Sequence, residues 1–391
     1  MNQKKLCKNQ ISQEPDHACA FSLLETGRNA FPEIISQIRS ARKEILIHMF
    51  IWREDRIGLE IAEELLEAAD RGVMITIEKD RYGLILEYAE ESQCSFCHSP
   101  DLLDRIQIHV LGLIYNRNQY RKQLETGRST LYRKLLEHPN VRMKDSRKTV
   151  DHSKYYIFDR QVMILGGINI EDKEYFSDLA GRVYFDYMVK ISDPEISSRF
   201  LQKRVCPRKK DDLFLINTNE PARSFELKEC FLELIDDTES ELTILMAYFV
   251  PERESISAIC HALDRGVHVR ILIPRIANFN NDANRLTVSK LLRSRQAKAN
   301  GKLSVYMTDY MLHAKLIMNE KRIMTGSCNI NQKAFNRLGE LCIAVNNDDS
   351  PFARQVRESA DELFRNSAHM DDDSEISCSH MLAFLETTVI R

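Results

Sequence analysis

The sequence predicts an α/β protein built from two similar domains in tandem, each a mostly parallel central sheet flanked by helices. Three observations carry this expectation. A strand–helix–strand pattern occurs twice, nearly 200 residues apart, and both copies hold Asp-Arg-Gly-Val in the same slot. Both halves then close on a His-x-Lys segment followed by Gly-Gly or Gly-Ser and an Asn. The length of 391 residues exceeds one ordinary domain and suits two.

In the first copy Ile45, Ile47 and Met49 sit in a dense apolar run, as expected of a strand buried on both faces. Ile57, Ile61, Leu65 and Ala68 then recur at helical spacing, and Gly72 stands where a helix C′ residue belongs. A second apolar run follows through Ile77. The second copy repeats this: strand 241–250, then Ile256, Ile259, Ala262 and Leu263 on a helix, Gly266 as the stop, and a strand through Ile273. A unit of this length is a βαβ crossover, which makes its two strands parallel. The charged, proline-containing stretch from Lys203 to Asp212 has no periodicity and marks a domain boundary. The expected organisation is an N-terminal segment 1–30, a first domain 31–202 with an insertion at about 92–148, a linker 203–222 and a second domain 223–391.

Composition narrows the function classes. Hydrophobic residues at 43% and charged residues at 29% exclude a mainly disordered chain. The net charge of −3 offers no broad electrostatic surface for a nucleic-acid backbone, so nucleic acid is not the expected partner. The longest uncharged run, 106–116, is far short of the roughly 20 residues that span a bilayer. No N-terminal signal pattern is present either, which leaves a cytoplasmic protein, soluble or peripheral at the inner face of a membrane. Ten irregularly spaced Cys read as reduced thiols. Cys94-Ser95-Phe96-Cys97-His98 has the spacing of a haem-attachment or half-zinc motif, but no second Cys pair completes it, so no metal or cofactor is expected.

The chemistry lies in the repeated segment. The first copy is His152-Ser153-Lys154 with Asp159, then Gly166-Gly167-Ile168-Asn169. The second is His313-Ala314-Lys315 with Asn319-Glu320, then Gly326-Ser327-Cys328-Asn329. In a strand, side chains at i and i+2 share a face, so each motif sets an imidazole beside an ammonium. Asp159 begins a turn that returns the chain as a partner strand. Gly166-Gly167 lets backbone approach a bound group, and each Asn supplies an amide donor. Two such sets facing each other suit a phosphodiester. One His can attack phosphorus while the other protonates the leaving alkoxide, and the Lys and Asn groups steady the equatorial oxygens.

The two motifs resemble the H-x-K-x4-D signature of the phospholipase D superfamily. Asp151-His152-Ser153-Lys154, Tyr248-Phe249-Val250-Pro251, Leu312-His313-Ala314-Lys315 and Gly326-Ser327-Cys328-Asn329 further resemble bacterial cardiolipin synthases of the phospholipase D type, and the resemblance extends over both halves. It implies two phospholipase D-like domains as a bilobal pseudo-dimer, with one site between them. It also implies a metal-free ping-pong reaction through a phosphohistidine. On this resemblance His152 is the nucleophile and His313 the general acid. Lys154, Lys315, Asn169 and Asn329 hold the phosphate, with Gly167 and Ser327 close to it. Asp186 and Glu340 fall where the family's imidazole-orienting carboxylates are expected, and Asp159 and Glu320 occupy the motif's structural acid position. The second motif departs from the pattern: it is one residue shorter between its Lys and its Gly-Ser, has Glu320 or Asn319 where the family has Asp, and is followed by Asn331 and Lys333 in place of Asp and Arg. Ser153 stands where many cardiolipin synthases have Arg.

The implied function is transfer of a phosphatidyl group from a phosphatidylglycerol-like phospholipid to an alcohol. A phospholipase D that hands the same intermediate to water is the alternative, and a superfamily nuclease the next. The stretch 102–124 combines Leu102, Leu103, Ile106, Val110, Leu113 and Ile114 with Arg117, Arg121 and Lys122. That pattern fits either an anionic membrane surface or a helix packed on the first domain.

Overall fold

A computed structural model describes residues 21–89, 95–96, 99–115, 130–146, 150–177, 181, 183–206, 211–218, 224–300 and 302–388. The first half runs β1 (Phe21–Glu25), α1 (Thr26–Ser40), β2 (Glu44–Met49), α2 (Arg56–Asp70), β3 (Met74–Asp80), α3 (Gly83–Ala89), α4 (Leu102–Tyr115), α5 (Thr130–Glu137) and β4 (Val141–Ser146). It continues with β5 (Tyr155–Phe158), β6 (Val162–Gly166), α6 (Asp172–Tyr175), β7 (Tyr184–Phe185), β8 (Tyr187–Ile191) and α7 (Pro194–Val205). The second half opens with β9 (Phe214–Thr218), β10 (Ser224–Phe225), α8 (Leu227–Asp236), β11 (Glu241–Met246), α9 (Arg253–Asp264), β12 (His268–Pro274), α10 (Asn281–Leu292), α11 (Arg295–Asn300) and β13 (Leu303–Thr308). It ends with β14 (Met311–Leu312), β15 (Lys315–Met318), β16 (Arg322–Gly326), α12 (Gln332–Asn336), β17 (Glu340–Asn346), α13 (Pro351–Arg365), β18 (Ala368–Met370) and α14 (His380–Thr388).

Two α/β domains in tandem result, as expected. The first sheet has the order β1-β8-β6-β5-β2-β3-β4, and the second repeats it as β9-β17-β16-β15-β11-β12-β13 with β10 and β18 added at the edges. The expectation of mostly parallel sheets is corrected. Within these two sheets, among the described residues, only the βαβ strands pair in parallel, β2–β3–β4 in the first and β11–β12–β13 in the second. The strands entered from the motifs form antiparallel hairpins, β5–β6 and β15–β16. The cause is connection length: a three-residue turn at Asp159, Arg160 and Gln161 can only reverse the chain, whereas a crossover helix preserves direction.

Domain limits shift as well. β1 pairs with β8 and α1 begins at Thr26, so the first domain starts inside the expected segment 1–30. β4 lies inside the expected insertion 92–148, yet it pairs with β3 as β13 does with β12. α7 runs to Val205 and β9 belongs to the second sheet, so both domains reach into the expected linker 203–222. Only Ser95 and Phe96 of the Cys94–His98 motif are among the described residues, and the remainder of that motif lies outside them, as do 116–124 and 207–210.

Local choices follow from the residues. Asp55 caps α2 by accepting from Gly58 N, and α2 buries Ile57, Ile61, Leu65 and Ala68. Gly72 and Gly266 end the two equivalent helices at φ 94° and 86°, a left-handed backbone that a side chain would strain. Each sheet buries one face under its own helices. The other faces meet: Tyr155, Leu165 and Val189 share a core with Leu245, Leu316 and Leu341, joined by residues of α7 and α13. The motif-bearing strands of both sheets therefore end at one interface.

Candidate active site

Both motifs sit in extended residues entering β5 and β15, and each is hydrogen-bonded to the other domain through its backbone. His152 N donates to Gly339 O at 2.7 Å, and His313 N donates to Phe185 O at 2.7 Å. Asp151 bridges Gly339, and β14 pairs in parallel with β7. These short ladders fix where the opposing carboxylates lie. Glu340 directly follows Gly339, and Asp186 directly follows Phe185. His152 Nδ1 lies 3.1 Å from Glu340 Oε2, and His313 Nδ1 lies 2.9 Å from Asp186 Oδ2. Each imidazole is thus oriented by a carboxylate of the other domain. With Nδ1 engaged this way, Nε2 of each ring is the nitrogen left for chemistry.

His152, His313, Asn169 and Asn329 line one cavity of about 400 Å³. Its walls are largely apolar, with Phe50, Leu86, Tyr248, Pro251 and Phe279, and Lys173 and Lys333 supply cations. Lys154 and Lys315 are buried behind the histidines. Lys154 Nζ donates to His152 O at 2.5 Å, and Lys315 Nζ donates to His313 O and, at 3.1 Å, to Asp186. Phe50 meets both members of the first motif, the His152 ring edge-on at 4.7 Å and the Lys154 ammonium at 5.1 Å, so i and i+2 do share a side.

Gly167 and Ser327, expected beside the substrate, lie against the carboxylates. Ser327 Oγ donates to Glu340 at 2.5 Å, whereas a Cβ at Gly167 would collide with both Asp186 oxygens. They directly follow Gly166 and Gly326, the last residues of β6 and β16, and two residues further on Asn169 and Asn329 line the cavity. Asp159 accepts from the backbone N–H groups of Arg42, Lys43 and Glu44, and Glu320 accepts from those of Glu239 and Ser240. The longer Glu320 therefore fills the same anchoring position as Asp159. Asn331, which replaces an acid, caps α12 by accepting from Ala334 N at 2.8 Å.

Two features escaped sequence reasoning. His313 has a second carboxylate: Glu174 Oε1 of α6 lies 3.3 Å from its Nδ1, fully buried. Also, beneath His152, His48 Nε2 lies 3.3 Å from Asp151, His48 Nδ1 contacts Ser153 O at 3.0 Å, and Asp80 accepts from Asp151 N. Comparing the repeats singles out Glu174, which falls five residues after Asn169 where Ala334 follows Asn329.

The electrostatics divide the two histidines. Burial, with Lys154 and Lys315 adding to it, holds His152 well below the usual imidazole range. Burial and Lys315 also push His313 down, but Glu174 and Asp186 outweigh them and its pKa is raised. Burial brings Lys154 down to about 7 and pushes Glu340 well above the usual carboxylate range. Burial pushes Asp186 up, yet Lys315 and His313 hold it below its ordinary value. Among the described residues no group of His, Cys, Asp and Glu is arranged to hold a metal ion.

A two-domain fold with a paired His-Lys site at the domain junction is the architecture shared by phosphodiester-transfer proteins of the phospholipase D type. Residues 34–203 and 231–364 match the family described as cardiolipin synthase, PLD-like domain, and the chain belongs to that family. It is 23% identical over 277 residues to cardiolipin synthase B of Shigella flexneri, covering 65% of this chain and 59% of that protein. Against cardiolipin synthase A of Yersinia pseudotuberculosis it is 22% identical over 384 residues, 90% of this chain and 71% of that one. The chain thus spans under two thirds of the B-type relatives. Its fold matches the crystal structure of phosphatidylserine synthase from Haemophilus influenzae Rd KW20 with a TM-score of 0.69 at 15% identity, covering 94% and 92% of the two chains. Polyphosphate kinase from Porphyromonas gingivalis gives a TM-score of 0.57 at 11% identity over 96% of this chain and 52% of that one.

Proposed function

We propose that the protein is a phosphatidyltransferase of cardiolipin-synthase type that works through a phosphohistidine on His152. The observation that carries this reading is the facing pair of imidazoles, each with Nδ1 on the opposite domain's carboxylate, in one cavity with apolar walls. His152 Nε2 attacks phosphorus, the bond to the leaving alkoxide breaks, and that oxygen takes the proton of His313 Nε2. His313 then accepts the proton of an incoming hydroxyl. Its oxygen bonds to phosphorus, and the P–N bond electrons return to His152. Asn169 and Asn329 donate to the phosphoryl oxygens, and Lys154 and Lys315 supply positive charge behind them. The apolar walls suit the glycerol and proximal acyl carbons of a phospholipid.

Such a substrate places the protein at a membrane surface. No helix among the described residues is long and apolar enough to cross a bilayer. α4 packs Ile108 and Leu111 against Ile85 and Leu86, and it exposes Leu102, Leu103, Ile106 and Val110. α14, whose Glu386 and Thr387 border the cavity, exposes Met381, Phe384 and Leu385. We assign both faces to peripheral contact with the inner leaflet.

The test is incubation with vesicles containing phosphatidylglycerol, together with single-stranded DNA, followed by product analysis. Cardiolipin is the expected product. Phosphatidic acid alone would replace transfer by hydrolysis, and a cleaved oligonucleotide would replace both with nuclease action.

A further inference from the structure

Glu174 has the features of a group kept for a proton. Its side chain is fully buried, and neither oxygen accepts a hydrogen bond from a described residue. A buried carboxylate with no donors is costly unless it is protonated or faces a cation. Among the described residues its ion-pair contact is His313 Nδ1, at 3.3 Å. Burial raises Glu174, while His313 opposes that rise. At the equivalent point of the other half stands Ala334, which is buried, so among the described residues no second carboxylate answers Glu174 beside His152.

A charge count across the site then becomes unequal. In contact with His313 or its carboxylates lie Asp186 and Glu174 as acids and Lys315 as cation, with the Tyr184 and Tyr248 rings at 5.9 and 6.0 Å, while Glu171 next to Glu174 is itself paired to Lys173 at 3.3 Å and Arg53 at 2.7 Å. Two carboxylates against one ammonium leave room for one more positive charge, and the ring between them is where it can sit. Around His152 lie Glu340 and Lys154, with Phe50 edge-on and Lys315 and His313 acting from the other half. Glu340 and Lys154 leave no excess negative charge there, and a proton on His152 would add an unpaired buried charge.

Resting on the two-histidine reading above, we propose that Glu174 is a positioning residue that stores the catalytic proton on His313. It thereby decides which of two similar histidines is the acid and which the nucleophile. The resting site holds one shared proton, on the His313 side. When the leaving alkoxide takes it, His313 becomes neutral, and the acceptor hydroxyl returns it as the phosphoryl group departs, so protons balance over the cycle. The two carboxylates hold His313 ready to be reprotonated.

The test uses the full chain with isotope-labelled histidine rings, titrated by NMR, with His152→Ala and His313→Asn to assign the two signals. In the native protein His313 should titrate above His152. Glu174→Gln, which keeps shape and removes charge, should lower the His313 midpoint by about one unit or more. Glu174→Asp should retain most of the raised value. Transfer from phosphatidylglycerol should slow about 10- to 100-fold in Glu174→Gln, while loading from a p-nitrophenyl phosphodiester, which needs little protonation, should hold. A native His152 midpoint above that of His313, or a His313 midpoint unmoved in Glu174→Gln, overturns the inference. Failure of the underlying reading looks different: His152→Ala would still acquire a phosphoryl adduct.

Discussion

The strand that carries His152 rests on polar groups, and the strand that carries His313 rests on apolar ones. His48, Asp151 and Ser153 in the first half correspond to Leu245, Leu312 and Ala314 in the second, by the shared register of β2 with β5 and of β11 with β15. The second set belongs to the core between the sheets. The first set forms a network that reaches the backbone of the motif on both sides of His152. One fold repeat has thus been tuned in two ways. The second strand relies on close packing, and its imidazole takes excess negative charge directly from Asp186 and Glu174 of the first half. The first keeps charge off the imidazole and braces the residues around it.

The largest expected effect tests whether the two histidines differ in role at all. His152→Ala should abolish phosphoenzyme and lower turnover by about 10⁴-fold or more. His313→Asn should still load slowly from a p-nitrophenyl phosphodiester and then stall. Intact-protein mass reads the adduct, and an adduct on His152→Ala but not on His313→Asn would exchange the roles.

The next effect concerns the Gly167–Ser327 difference. Gly167→Ala should displace Asp186 from His313 and cost on the order of 10²-fold in kcat, as misplacing an orienting group does. Ser327→Ala removes one hydrogen bond to Glu340 and leaves its space open, so it should cost less in the same assay. Equal losses would show that the two carboxylates are held alike.

Smaller still is the brace under His152. Burial lowers the His48 pKa, but Asp151 outweighs it and the net shift is upward. A raised folded pKa means that this pair stabilises fully below about 6.5, the unfolded imidazole value, and fades as pH rises through the folded value. Asp151 is partly exposed, so solvent screening limits the pair to about 1 kcal/mol. Asp151→Asn should therefore lose stability at pH 6 and lose less at pH 8.5, as read by urea unfolding. A loss independent of pH would remove the ion pair as its cause. The smallest effect is none: excess chelator should leave turnover unchanged, because the proposed charge-stabilising groups are side chains of both halves.

The repeat and its paired motifs were legible in the sequence, the contrast between the two halves was not, and the reasons are local. The repeat, the His-Lys pairs and both Asn residues follow from spacing, whereas the positions of Asp186 and Glu340 come from the resemblance to the phospholipase D superfamily. The crossing of the carboxylates follows from neither, because the two-residue strand period relates neighbours on one strand and says nothing of which domain an acid will face. Glu174 stayed hidden because α6 is one turn long and carries Asp172 and Glu174, a pattern that reads as a solvated loop. The mixed sheets were recoverable: a turn at Asp159 already implied an antiparallel partner for β5. The short edge strands β10 and β18 have too few residues to show alternation.

The two short ladders between the domains also govern access. His152 N to Gly339 O, Gly339 N to Val150 O and His313 N to Phe185 O tie the halves together at the reacting residues themselves. A clamshell motion would have to break these bonds and would carry Glu340 and Asp186 away from the rings they orient. On the proposed function, substrate would then reach the cavity without the domains parting, with the hinge role left unfilled. Cross-linking the domains far from the cavity should leave the catalytic cycle intact, whereas a bulky group at Phe384, beside the residues of α14 that border the cavity, should block it.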